Sequence, residues 1–119
     1  MQKDIVIGEK TIPMRATAAT NLRYRRIFHA DLLQELVNNK KNGDDAVNAE
    51  VAQKLGFIMA ASAADQDMNT LSEEDYIDWL DGFDFMELMD ALPQVVALYL
   101  ASKETKATPK KKAGAQRGR

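Results

Sequence analysis

The sequence predicts an α+β fold that is mostly α. A short N-terminal β-hairpin packs on about four or five helices, and a disordered basic C-terminal tail follows. Three observations carry this. The chain opens with a β-branched run interrupted by glycine. From residue 20 onward the apolar residues recur at helical spacing. After residue 102 no large apolar side chain remains. The 119 residues hold one domain, and 45% hydrophobic residues suffice for a core. Residues 1–102 are therefore read as one mostly helical domain and 103–119 as a flexible basic tail.

Asp4-Ile5-Val6-Ile7 reads as the first strand, Gly8-Glu9-Lys10 as a turn and Thr11-Ile12-Pro13-Met14-Arg15 as the return strand. Pro13 lacks an amide hydrogen, which confines its strand to an edge or an end. A lone hairpin is marginal in water, so it must pack on helices or join another sheet.

Thr20 is expected to cap a helix through Leu22, Tyr24, Ile27 and Phe28. Asp31 caps a second, carrying Leu33, Leu36 and Val37, unless the two form one bent helix. Asn38 to Gly43 reads as a polar loop, and Asp44 opens a longer helix. There Val47, Val51, Leu55, Ile58 and Ser62 form one stripe of a 3.6-residue period. Ala60, Ala61, Ala63 and Ala64 would admit another helix closely. Ser72 and Asp75 resemble a capping box ahead of a helix carrying Tyr76, Trp79, Leu80 and Phe83, with Gly82 loosening its end. Asp84 caps the last helix, Phe85 to about Ser102, which Pro93 should kink or split.

Composition excludes several functions. Without cysteine there is no disulfide, thiolate zinc site or cysteine nucleophile, and one histidine makes no metal-binding cluster. No apolar run reaches the roughly 20 residues of a membrane helix. No signal peptide follows Met1, so a soluble intracellular protein is expected. There is no phosphate-binding glycine loop. An EF-hand loop fails: with Gly82 sixth, Ile77 falls first, Trp79 third and Leu88 twelfth. With Gly43 sixth it fails again, on Asn38 and Lys40. The carboxylates recur at helical spacing as a solvated face rather than as an acid–base pair. No cofactor, metal or enzymatic activity is expected. His29 reads as a helix-junction or surface residue, with pH sensing as the alternative.

The formal net charge of −2 hides three unlike parts. Residues 1–41 carry eight Lys/Arg and four Asp/Glu. Residues 42–102 carry Lys54 alone against thirteen acids. Residues 103–119 carry seven Lys/Arg and only Glu104. The tail, with Lys110-Lys111-Lys112, Arg117 and Arg119, could neutralise phosphates. It has no interleaved aromatics for base stacking, and the acidic body would repel DNA. Nucleic-acid binding is thus an alternative reading, beside a tail that folds back on the acidic helices. Between Ser72 and Leu100 the acids are mixed with Tyr76, Trp79, Phe83, Phe85, Met86, Met89 and Tyr99. Such side chains are most often core. On an exposed face they would form an adaptable groove for apolar helices, kept soluble by its acidic rim.

The strand–glycine–strand opening, the Thr/Ala linker and Leu22-Arg23-Tyr24-Arg25-Arg26-Ile27-Phe28-His29-Ala30-Asp31 resemble the small tail assembly chaperones of long-tailed bacteriophages. Tyr24, Arg25, Phe28 and Asp31 match that family's segment, and His29 stands where glycine is usual. Trp79-Leu80 and Phe83-Asp84 resemble its later acidic helical part, and the likeness covers about residues 4–100.

The resemblance implies a partner, the tape measure protein, a very long helical chain kept soluble while tail tube subunits polymerise around it. It brings in the tail tube protein as a second partner and the host bacterial cytoplasm as the location. It also implies absence from the mature virion, self-association, and a longer form made by ribosomal frameshifting. A run of adenines encoding Lys110-Lys111-Lys112 would suit such slippage. Trp79, Leu80, Phe83, Met86 and Met89 are the expected partner-binding residues. Arg25 and Arg26 are expected to pair with acids of a neighbouring subunit, with Tyr24 and Phe28 mainly structural. A minor structural tail protein is a further alternative.

Overall fold

A computed structural model gives the fold and describes residues 1–35, 49–67 and 69–104. It has the expected α+β, mostly α, architecture. Strand β1 (Gln2–Ile7) pairs antiparallel with β2 (Lys10–Arg15), in a register that sets Ile5 opposite Ile12 and Asp4 opposite Pro13. Helix α1 is Thr20–Phe28, α2 begins over 32–35, α3 is Ala49–Ala63, α4 is Glu73–Leu80 and α5 is Phe85–Glu104.

The hairpin loop is tighter than the sequence suggests. It is Gly8-Glu9 alone, and Lys10 already belongs to β2. Gly8 has φ +63°, while Glu9 does not join the residues of positive φ. That is the signature of a type II′ turn, whose twist matches the strands it joins. The Glu87 side chain on α5 lies where a Cβ of residue 8 would sit. Glycine is favoured there by its φ, and the exposed Glu87 side chain would have to swing aside for any larger residue.

One face of the hairpin closes the core. Ile5, Ile7 and Met14 are fully buried against α3 and α5, while Val6 on the other face is exposed. Burying each of these side chains contributes roughly 1.5–3 kcal/mol. Met14 meets Val95 and Trp79 at Gly56 on α3. A Cβ there would stand 3.5 Å from Val95 of α5, 3.6 Å from Met14 of β2 and 3.6 Å from Trp79 of α4. The α3 stripe is buried at Val51, Leu55, Ile58 and Ser62. Arg15 fastens the end of β2 to the end of α3, donating to the Ser62 carbonyl at 3.0 Å and to Asp65 Oδ1 at 3.1 Å.

Several helix boundaries follow the sequence and others correct it. The Ser72–Asp75 capping box is present on α4. Asp84 accepts from the Glu87 amide at 3.2 Å, and Asp31 accepts from the Gln34 amide at 3.0 Å. Among the described residues of α2, Leu32 is buried and Leu33 is exposed. Thr20 does not cap α1. It is the first residue of the helix, and its hydroxyl accepts from the Thr17 amide at 2.9 Å, folding the linker instead. Phe83 lies beyond α4, which ends at Leu80. Helix α5 runs unsplit through Pro93 as far as Glu104. Proline costs the Met89 carbonyl its bond, but the flanking Leu92 and Val95 stay packed in the core and hold the helix together.

At His29 the chain does break. Its φ of +55° is left-handed, and its amide closes on the Arg25 carbonyl at 2.9 Å. This is the helix-ending geometry usually given to glycine. Leu36, Val37, the 38–43 loop, the Asp44 helix start, Val47 and residues 105–119 of the tail lie outside the described residues.

Candidate functional site

The residues expected to bind a partner gather around the junction of α4 and α5. Helix α4 presents its aromatic side inward because Tyr76 and Trp79 are three residues apart. Tyr76 is buried, and Trp79 and Leu80 are half-buried against the core. Rings then run in contact across the molecule. Tyr24 meets Phe28 at 5.2 Å between centres, Phe28 meets Tyr76 at 5.1 Å, and Tyr76 meets Phe57 at 5.7 Å. Phe57 meets Trp79 at 5.8 Å, and Trp79 meets Phe83 edge-on at 4.9 Å. Each tilted or edge-on pair adds roughly 0.5–1.5 kcal/mol beyond the area it buries. Tyr24 and Phe28 are thus structural, as expected.

The five expected residues are brought to one region but do not share one role. Trp79, Leu80, Phe83 and Met89 are half-buried and pack on the core. Only Met86 stands clear, 61% exposed. Beside it Phe85 is 64% exposed, and Ile77 on α4 is 51% exposed. Phe85 and Ile77 were not among the expected binding residues. A helical period does signal Met86. Counted back from the buried pair Leu88 and Leu92, it falls on the opposite side of α5. Phe85 is the first residue of its helix, with no preceding turn to cover it.

Around these apolar groups the surface is acidic. Glu73, Glu74, Asp78, Asp81, Asp84, Glu87 and Asp90 are all exposed. Among the described residues Lys10 of the hairpin reaches in, donating to the Gly82 carbonyl at 2.5 Å and standing 5.1 Å from the Phe83 ring centre. Arg25 and Arg26 are exposed on α1, and Arg26 donates to Asn69 at 3.0 Å.

A second apolar feature lies nearby. A cleft of about 390 Å³ opens between β2, the end of α3 and α4. The small faces of Ala60, Ala61, Ala63 and Ala64 form its floor, and Ile12, Pro13, Leu71 and Trp79 form its sides. Among the described residues, the alanine run thus lines a hollow beside the hairpin, with Trp79 of α4 at its side.

The buried phenols are kept neutral. Tyr24 is raised far above the ordinary tyrosine value by burial and by its 2.5 Å bond to Glu35. Burial, with a smaller contribution from Glu50, pushes Tyr76 up to about 12. Burial also raises Tyr99, whose hydroxyl donates to Asn21 at 2.6 Å. Each is locked into packing, so none is a poised acid or base. Among the described residues no group of three or more His, Cys, Asp or Glu side chains could hold a metal ion. No helix among them is long and apolar enough to cross a membrane.

Searches of family models, curated proteins and solved structures find no match to this chain.

Proposed function

We propose that this chain is a non-enzymatic phage tail assembly chaperone. It binds the long helical tape measure protein in the host bacterial cytoplasm, keeps it soluble until tail tube subunits polymerise around it, and is left out of the mature virion. The supporting observation is the exposed pair Phe85 and Met86 at the start of α5, flanked by exposed acids on both α4 and α5. Large apolar side chains left in water side by side are the kind of patch that marks a contact surface. Methionine among them adapts to varied helix faces, and the acids keep the uncovered surface soluble. The hairpin, the helix break at His29 and the acidic helices around Trp79 follow the order that the family resemblance implies.

The test is co-expression of the tagged chain with its phage's tape measure protein. The tape measure protein should stay soluble and be recovered with the bait. Phe85→Ser with Met86→Ser should abolish recovery while leaving the fold intact, because both side chains are already in water. A tape measure protein equally soluble without the chain would overturn the function. Recovery that survives the double substitution would move the surface elsewhere. Capture of nucleic acid alone, lost on removing residues 103–119, would favour the tail-mediated alternative.

A further inference from the structure

Helix α5 is apolar on more than its buried side. Residues 91–102 include no charged side chain. Leu92, Val95, Leu98 and Tyr99 of that run fill the core. The opposite side lies in water, yet Met86, Pro93, Ala97 and Leu100 are exposed on it. Met89 and Val96 border it, half-buried. Met86, Asp90, Pro93, Ala97 and Leu100 fall at i, i+4, i+7, i+11 and i+14, one stripe of a 3.6-residue period. Asp90 is its one charge. A helix exposed on one side ordinarily turns charged and polar groups to the water. This one presents apolar groups from Met86 to Leu100, about 21 Å at 1.5 Å of rise per residue. Through Met86 the stripe is continuous with the Phe85–Met86 patch.

The stripe is charged at one end only. Asp81, Asp84, Glu87 and Asp90 are exposed around its start. The ion pairs of the described residues lie elsewhere, at Arg15–Asp65 and Glu50–Lys54. After Asp90 the next charged residue of the helix is Lys103. The surface is therefore acidic beside Met86 and uncharged beside Ala97 and Leu100.

We propose that this outer face of α5 receives one amphipathic helix of the partner, about four turns long. Its apolar stripe lies along Met86, Pro93, Ala97 and Leu100. Lys or Arg flank that stripe at the end over Asp84, Glu87 and Asp90, and uncharged residues flank it at the other. The proposal rests on the chaperone reading above and specifies which helices of the partner are held. Charge complementarity selects the occupant. The chain's own tail has the right charge, but no large apolar side chain to cover Met86 or Leu100. A second copy brings the same acids to the contact, where a basic helix brings their counter-charges. The contact of one helix with one face is small, so each is weak and readily displaced.

The experiment is NMR titration of the isotopically labelled full chain with synthetic alanine-based peptides of about 16 residues. The first has a leucine stripe at helical spacing, with lysines beside it in one half. The second has glutamates in place of the lysines. The third has the composition of the first with the leucines spread round the helix. The first should bind with a Kd of about 10–500 µM and shift the amides of Met86, Asp90, Gln94, Ala97 and Leu100. The second should bind about fivefold more weakly or worse, and the third should not saturate. Glu87→Gln with Asp90→Asn should weaken the first by about two- to fivefold without weakening the second. Ala97→Lys should weaken the first by about fivefold or more and keep the fold, since Ala97 is exposed and lysine is a good helix former.

Equal binding of the basic and acidic peptides, shifts confined to the cleft at Ala60–Ala64, or binding indifferent to Ala97→Lys overturns the proposal. So does a face already covered without peptide. Shifts of the same α5 amides on dilution would show a second copy there, and shifts on removing residues 105–119 would show the tail. Co-expression separates this from the functional reading. Tape measure protein lost with Phe85→Ser and Met86→Ser, but recovered at the native level with Ala97→Lys, would strike the stripe and leave the chaperone. A tape measure protein never held by the native chain would strike the chaperone, and the peptides would still decide the face.

Discussion

The Lys10 ammonium bonds the Gly82 carbonyl at 2.5 Å and faces the Phe83 ring at 5.1 Å, so the hairpin clasps the turn between α4 and α5. Lys10 and Gly82 lie 72 positions apart in sequence. Lys10→Ala removes both contacts. The loss should be about 1 kcal/mol, since the hydrogen bond is exposed and the cation–π contact only partly dry. Urea unfolding of the two proteins measures it, and Lys10→Arg should recover part of it.

Gly8→Ala should cost more, about 1–2 kcal/mol or above. The left-handed φ penalises any side chain, and the new Cβ would strike the Glu87 carboxylate. Adding Glu87→Ala should relieve the collision but not the backbone strain. The double variant should therefore fall between the native chain and Gly8→Ala in melting temperature.

His29→Gly runs the other way. His29 already holds the left-handed geometry that ends α1, and glycine adopts it without a Cβ penalty. A gain of about 0.5–1 kcal/mol in denaturant unfolding is expected.

Alkaline pH should unfold the chain cooperatively. All three tyrosines of the sequence have raised folded-state pKa values. Their neutral forms are favoured by folding, so this stability is complete below the unfolded tyrosine pKa of about 10. It falls as pH rises above that value, by up to about 1.4 kcal/mol per pH unit for each phenol, with Tyr76 continuing to about 12. Phenolate absorbance should appear together with loss of helical circular dichroism. Tyr76→Phe should shallow the slope.

Most of the fold is legible in the sequence because its elements are announced locally. A β-branched run, a glycine turn, a capping box and two Asp caps each act within a few residues. Pro93 does not split α5, because burial of Leu92 and Val95 outweighs the missing backbone bond. Thr20 misleads because the hydroxyl has a nearer use, at Thr17. The site is less legible. Trp79, Leu80, Phe83 and Met89 share their composition with an exposed groove, yet composition does not say which side of α4 and α5 the hairpin and α3 will cover. Met86 can be found from the helical period alone. Phe85 could not, since its exposure depends on where the helix starts. The cleft above the alanines depends on β2 approaching α3 from far along the chain, and no local spacing encodes that.

Pro13 has a consequence for the valency of the hairpin. Strand growth is possible on one side of the sheet at most, because the other is terminated by an imino acid. A strand added at β1 therefore leaves the proline border of β2 unchanged on the far side. A β-structured surface that would otherwise seed open-ended fibres is limited to a finite product.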